Sequence, residues 1–347
     1  MMRLLIALFT ESSHNNGRNV VQRTPIESIM NTILVTGVGG FIGSHVAEAL
    51  LRRGDAVVGV DNMNDYYPVS FKRENLQLLS RHPRFKMIEG DICDRVLVRG
   101  IFDNGSISHV AHLAARAGVR PSIVDPYIYE EANVQGTLNL LQATVDRPVQ
   151  NFVLTSSSSV YGNSTAIPFR EDDSATDRPI SPYAATKKAT EVMAFTYHKL
   201  YGLNVNVVRP FTVYGPRGRP DMAPWLFIQS AVQGTTVYKF GDGTTRRDYT
   251  FIGDFTKGFV NAIDRAHGYE IFNLGNSSTV SLNEALEIVR DVTGRELVIE
   301  QRPMQPGDVE ITNADVSKAR RLLDYNPSTS FRDGMGTFFE WYRQTRM

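Results

Sequence analysis

Tyr183 and Lys187 stand four positions apart in "SPYAATKKATEVMAF", so any helix that carries them presents both on one face. A phenol is a poor base at neutral pH, because its ordinary pKa is near ~10. A lysine cation held beside it favours the phenolate and lowers that value. A source of hydroxyls lies upstream in "NFVLTSSSSVYG", where Ser156 to Ser159 follow the apolar run Phe152 to Leu154. A serine hydroxyl can share a proton with a substrate alcohol and orient its oxygen. The trio suits removal of a proton from a secondary alcohol while hydride leaves the same carbon. Serine runs also make linkers, and a lone Tyr-x-x-x-Lys arises by chance. The chemistry therefore needs a hydride acceptor elsewhere in the chain.

"TILVTGVGGFIG" answers that need. Gly37, Gly40 and Gly43 stand between an apolar β-branched run and a helical pattern that opens at Phe41 and Ile42. Missing β-carbons permit a tight turn, close approach of a pyrophosphate and close helix–strand packing. The helix start offers free amides and a positive dipole end to phosphates. Asp61, followed by Asn62, ends the next apolar run, "AVVGVDN". A carboxylate there accepts both adenosine ribose hydroxyls and repels a 2′-phosphate, which favours NAD over NADP. Asp91, followed by Ile92 in "EGDI", suits the adenine amine and equally suits a turn.

The elements that must position these residues alternate. Apolar runs at "TILVTG", "AVVGVDN", "FKMIEGDI", "HVAHLAA", "NFVLTSS" and "NVNVVRP" read as strands. Between them, "PYIYEEANVQGTLNLLQATVD" reads as one long amphipathic helix. "SPYAATKKATEVMAFTYHKLYG" reads as another, capped by Ser181 with Pro182 in its first turn and Gly202 at its end. The expected fold is α/β, a Rossmann-type doubly wound parallel sheet with a smaller C-terminal α/β substrate-binding lobe. The expected division is a disordered extension over 1–30, an NAD-binding domain over 31–210, and a substrate lobe over 211–347 with part returning to the sheet. Ligands of such sheets bind beyond the strand carboxyl ends. That directs attention to Gly37, Asp61, Asp91, Ala114 with Ala115, and Ser156 onward.

The 347 residues carry 37 Lys plus Arg and 37 Asp plus Glu, and zero net charge argues against sequence-independent nucleic-acid binding. The apolar run Leu4 to Phe9 is too short to span a membrane. The lone Cys93 forms no internal disulfide and fits a reducing, cytoplasmic setting. A targeting role for residues 1–29 stays open, and no metal site is expected.

Several strings carry a wider likeness. "TGVGGFIG", "HLAA", "SSSSVYG", "YAATK" and "RRDYTFIGD" resemble the extended short-chain dehydrogenase/reductase superfamily from about residue 31 to 345. Within it, "DNMNDYYPVSFKREN", "HLAARAGVRPSI", "FTVYGPRGRPDMA" and "MQPGDV" resemble the UDP-glucuronate 4-epimerases. The resemblance implies that Tyr183 is the base. It implies that Lys187 lowers the Tyr183 pKa and holds nicotinamide ribose, and that Ser157 is the proton-sharing hydroxyl. Ser158 and Ser159 then occupy places where nucleotide-sugar dehydratases carry Asp-Glu, and decarboxylases of UDP-glucuronate usually carry a glutamate near Ser159.

The implied reaction oxidises carbon 4 with NAD, rotates the 4-keto sugar, and returns hydride to its other face. A 4-keto uronate is a β-keto acid and tends to lose carbon dioxide, so its carboxylate must be held. The resemblance points to Ser158, Thr212 and Arg219, with surface and packing roles open for Arg219 and Thr212. It further implies that Val237, Tyr238, Lys239 and Phe240 meet uracil, Arg247 the diphosphate and Asp308 the ribose. Gln305 replaces an arginine common in galactose-type enzymes. A homodimer through the helices at 125–145 and 181–201 is implied too. The rival expectations are a neutral UDP-hexose 4-epimerase, a UDP-glucuronate decarboxylase, and a non-catalytic nucleotide-sugar sensor.

Overall fold

The computed structural model describes residues 31–304 and 309–347. The extension expected at 1–30, and Gln305 and Asp308, lie outside the described residues. The alternation read from the sequence is present. It runs β1 (Thr32–Thr36), α1 (Phe41–Arg53), β2 (Ala56–Asp61), α2 (Val69–Leu79), β3 (Phe85–Glu89), α3 (Arg95–Asn104) and β4 (His109–His112). Next come α4 (Val119–Val124), α5 (Tyr127–Tyr129), α6 (Gly136–Asp146), β5 (Asn151–Thr155), α7 (Pro182–Tyr201) and β6 (Val205–Pro210).

The helix expected to be continuous over 126–146 is not regular. Glu130–Gln135 forms a π-helical stretch between α5 and α6. There Asn133 turns inward, accepting the Arg116 amide at 2.7 Å and donating to Arg116 O and Thr186 Oγ1 at 3.1 and 3.0 Å. A wide turn lets a helix aim such a side chain without breaking. Periodicity alone does not reveal it.

The second half contributes β7 (Thr212–Tyr214), α8 (Ala223–Gln233), β8 (Thr236–Phe240), β9 (Arg246–Phe251), α9 (Ile252–Asp264), β10 (Tyr269–Leu274) and β11 (Thr279–Ser281). It ends with α10 (Leu282–Thr293), β12 (Val298–Arg302), α11 (Ser317–Leu323) and α12 (Phe331–Arg346). Among the described residues one seven-stranded parallel sheet forms in the order β10-β6-β5-β4-β1-β2-β3. β10 thus comes back from the second half to pair with β6, from Tyr269 opposite Val205 to Leu274 opposite Pro210. Two smaller sheets, β11-β9-β7 and β12-β8, lie outside it.

Strand periodicity explains the layers. Ile33 and Val35 face one apolar layer with Val46 and Leu50 of α1 and Phe255 and Phe259 of α9. Leu34 faces the other, with Val98 and Phe102 of α3 and Leu140 of α6. Each such fully buried side chain contributes roughly 1.5–3 kcal/mol. A third apolar cluster, with Trp225, Ile228, Leu286, Phe331 and Phe338, holds α8, α10 and α12 together.

Asp248 joins the large sheet to the small one. It sits buried on β9 and accepts the amides of Asn276, Ser277 and Ala314 at 2.6, 3.0 and 3.0 Å. Burial pushes its carboxyl up to about 6, against the pull of those hydrogen bonds. Asp248→Ala leaves three amides without their acceptor. It should cost about 3 kcal/mol or more, seen as a lower urea midpoint with an unchanged slope.

Candidate active site

The strand order reverses between β1 and β4, and there the sheet opens a cleft of about 740 Å³. Gly37 turns at its head with φ 70°, and a β-carbon there would lie 2.8 Å from Ala114 N. One on Gly43 would lie 2.1 Å from Gly37 O, so α1 approaches the turn only because residue 43 is glycine. Gly40, Phe41, Ile42, Ala114 and Ala115 line the same wall.

Asp61, Asn62, Asp91 and Ile92 line the cleft as well. The Asp61 carboxylate accepts Gly39 N at 3.0 Å and Met63 N at 2.9 Å, and pairs with Lys72 Nζ at 3.2 Å. The sequence reading missed Lys72. It is buried against Asp61 on the first turn of α2, a contact that depends on how α2 folds back. Asn62 Nδ2 donates to Asp91 at 2.8 Å, so these two sequence candidates meet directly. Burial raises the Asp91 carboxyl, but the hydrogen bonds from Asn62 and Cys93 outweigh it and hold it below the usual range.

The catalytic candidates converge on the same cleft. Ser181 caps α7 by accepting Ala184 N at 3.1 Å, and Pro182 opens the helix. Tyr183 and Lys187 then point from one face of α7 into the cleft, beside Ser157 and Ser158 from the segment after β5. Enclosure by protein raises the Tyr183 pKa above that of an ordinary phenol. A hydrogen bond from Ser157 and the charge of Arg219 pull it down.

The lysine differs from the expectation for it. Lys187 is buried with Nζ donating to Thr155 O at 2.8 Å. Burial lowers its own pKa to about 8, against the pull of Glu191. The cation whose charge bears on the phenol is Arg219, while Lys187 is turned to the strand carbonyl.

Arg219 reaches the cleft from the loop after β7, as does Thr212 at the start of β7. Arg219 pairs with Asp221, Nε to Oδ1 at 3.0 Å, and donates to Tyr66 OH at 3.3 Å. Two guanidinium groups lie over the Tyr66 ring, Arg219 at 5.1 Å and Arg116 at 5.2 Å. Neither Tyr66 nor Arg116 was singled out from the sequence, although both lie within quoted strings.

Val237, Tyr238, Lys239, Phe240 and Arg247 do not line this cleft. The first four lie on β8, paired with β12, and Arg247 lies on β9 with Nη1 donating to Arg246 O. Arg120 of α4 lies over the Phe240 ring at 6.0 Å, which joins β8 to the segment leaving the cleft at Gly118 and Val119. Among the described residues no group of three His, Cys, Asp or Glu is placed to hold a metal. No helix there is long and apolar enough to cross a membrane.

A glycine turn at the switch point of a parallel sheet, facing a Ser, Tyr and Lys set, defines an extended short-chain dehydrogenase/reductase. The chain belongs to the family described as GDP-mannose 4,6 dehydratase, whose model matches residues 34–338. It is 45% identical over 316 residues to the UDP-glucuronate 4-epimerase of Thermodesulfobacterium geofontis, covering 91% of this chain and 97% of that one. UDP-glucuronate 4-epimerase 4 of Arabidopsis thaliana is 43% identical over 90% of this chain and 75% of its own length. The crystal structure of UDP-glucuronic acid 4-epimerase from Bacillus cereus, with UDP-glucuronic acid and NAD, superposes with TM-score 0.85 and 36% identity. It covers 90% of this chain and 99% of that one. The UDP-glucose 4-epimerase of Thermotoga maritima with UDP-glucose gives TM-score 0.83 and 31% identity, over 91% and 100% of the two chains.

The Lys187 charge has a consequence for stability. Its folded pKa lies below its unfolded one, so burying the cation costs stability below about pH 8, and that cost is relieved as pH rises toward 10.5. Lys187→Met should therefore be more stable than the parent at pH 7 by up to about 3 kcal/mol. The difference should shrink by pH 10 in paired urea titrations.

Proposed function

We propose that this chain interconverts UDP-glucuronate and UDP-galacturonate by NAD-dependent epimerisation at carbon 4. The observation that carries the reading is Arg219. It is mostly buried, with a side chain 20% exposed, and its charge bears on the Tyr183 phenol from within the dinucleotide cleft. A neutral hexose has no use for a guanidinium at that point. A uronate does, because holding its carboxylate stops the 4-keto intermediate from losing carbon dioxide. The matching family is described by a dehydratase, yet Ser158 and Ser159 provide no acid for removing water.

The cleft fits a dinucleotide. Its glycine turn leaves no room for β-carbons at Gly37 and Gly43. At Gly40 a β-carbon would meet only the Gly37 carbonyl and the edge of Tyr67, leaving the cleft side open to a pyrophosphate. Asp61, paired with Lys72, and Asn62 hold the adenosine ribose; Asp91 and Ile92 meet adenine; Ala114 and Ala115 flank the phosphates. NAD, when bound, takes the hydride from carbon 4 and returns it, so none is consumed.

The remaining work belongs to the protein. Tyr183 removes the carbon-4 hydroxyl proton, and Ser157 relays it and orients the oxygen. Lys187 holds the nicotinamide ribose. Ser158, Thr212 and Arg219 hold the carboxylate with the breaking bond near the plane of the ketone. Arg219 reaches the substrate by exchanging Asp221 for it, a trade of one carboxylate for another. The uridine end lies along β8, with Val237, Tyr238, Lys239 and Phe240 reading uracil, Arg247 on the diphosphate and Asp308 on the ribose.

A homodimer through α6 and α7 accords with their exposed apolar side chains, Leu138, Val192, Phe195 and Leu200. A cytoplasmic setting accords with the single unpaired Cys93.

The test is product analysis by NMR, with UDP-glucuronate, UDP-glucose and UDP-galactose offered in parallel to protein supplied with NAD. UDP-galacturonate should appear without net NADH. Pentose products would convert the reading to a decarboxylase, and no turnover at all would leave a sensor. Tyr183→Phe should lower kcat by about 10³-fold or more while UDP affinity, measured by calorimetry, stays within about 3-fold. Arg219→Ala should release carbon dioxide from UDP-glucuronate at a rate several-fold above the parent. An unchanged product profile would remove Arg219 from the carboxylate site.

A further inference from the structure

We infer that Glu191 and Arg209 form a buried positioning pair that clips both ends of the Ser156–Tyr161 segment and so sets Ser157 and Ser158 against the substrate. What those serines do rests on the function proposed above; the clip itself is visible in the contacts. Glu191 lies on α7, on the face that carries Tyr183 and Lys187, at positions 183, 187 and 191. Its Oε1 accepts the Ser156 hydroxyl at 2.6 Å. Arg209, on the neighbouring strand β6, meets the carboxylate with two nitrogens, Nε and Nη2, each at 2.8 Å. The same guanidinium sends Nη1 to Tyr161 OH at 2.9 Å and to Glu171 O at 3.2 Å. Tyr161 OH in turn donates to Asn273 Oδ1 at 2.7 Å.

The serine segment is thus gripped at its first residue through Glu191 and at its last through Arg209. Ser156, Tyr161, Glu191 and Arg209 are each exposed by 1% or less. Ser156 N also donates to Val208 O at 2.7 Å, so the segment leaves β5 in one direction only. A buried ion pair is a poor device for stability alone, since apolar side chains of like volume often serve as well. What this pair supplies is placement, through a planar two-point contact that a hydrophobic pair does not make.

Glu191 also acts on the lysine. Lys187 donates to Thr155 O of β5, its charge bears on His112 of β4, and the Glu191 charge bears on it from its own helix. His112 is buried between Thr36 and Thr137 and pushed down to about 3, so it brings no charge at neutral pH. The Glu191 carboxylate itself faces Arg209, Ser156 and, at 3.9 Å, Lys188, while Tyr269 OH donates to its backbone oxygen. Glu191 is the one carboxylate among these groups that supports the Lys187 cation.

The experiment compares the full-length parent, Ser156→Ala and Glu191→Gln, each with bound NAD, on UDP-glucuronate across pH. Ser156→Ala removes one hydrogen bond and leaves the ion pair. It should lower kcat about 10-fold with KM within about 2-fold, and raise the share of decarboxylated product. Glu191→Gln should do the same and move the alkaline limb of the kcat profile down by about one pH unit, because Lys187 loses its counter-charge. Parent-like kcat and product ratio in folded Ser156→Ala would overturn the clip. So would a Glu191→Gln enzyme that loses thermal stability but keeps its pH profile and product ratio. If Glu191→Gln does not fold, Ser156→Ala alone decides. Turnover by the parent in the same assay separates these failures from failure of the functional reading, which would show as an inactive parent.

Discussion

In the proposed reaction the Tyr183 phenol must give up a proton inside an enclosure that discourages charge. Enclosure by protein raises its pKa, and so works against the chemistry the residue is placed to do. The surroundings of Tyr183 are arranged around that conflict. A hydroxyl and a guanidinium act on the phenol directly, from the segment after β5 and from the loop after β7. Lys187, one turn along α7, is kept within reach of the cation form by Glu191 while burial lowers it to about 8. The segment that carries Ser157 and the helix that carries Lys187 both follow β5, and the loop after β7 meets them in the same cleft.

On the proposed reading the same arrangement serves selectivity between reactions. A 4-keto uronate can be reduced again, lose carbon dioxide or, in related enzymes, lose water. Serines at 158 and 159 remove the acid that dehydration requires. Arg219, joined to Asp221 and stacked on Tyr66, brings a fixed positive charge to where a carboxylate must be kept intact.

Much of this was legible from local pattern. Strand and helix periods, Ser181 and Pro182 at the start of α7, and the glycine turn after β1 follow from side-chain geometry over a few residues, and the structure has them where the sequence put them. The cofactor candidates from Gly37 to Ala115, and Ser157, Ser158, Thr212, Tyr183, Lys187 and Arg219, share one cleft. Other features were hidden because they depend on contacts between distant segments. Lys72 beside Asp61 and the π-helical turn that frees Asn133 are of this kind. Glu191 is intermediate: its spacing from Tyr183 and Lys187 is local, but its partners Ser156 and Arg209 are not.

The sequence by itself determined the alternation of elements, the dinucleotide turn, and the set of residue types able to move a proton and a hydride. These depend on near neighbours and on the periods of helix and strand, which one chain displays without folding. Only the tertiary structure decided which charges meet. It turned Lys187 toward Thr155 and Glu191, brought Arg219 to Tyr183, and locked the serine segment with a buried ion pair. Charge–charge energies depend on distance and burial, and both are set by packing between segments far apart in the chain.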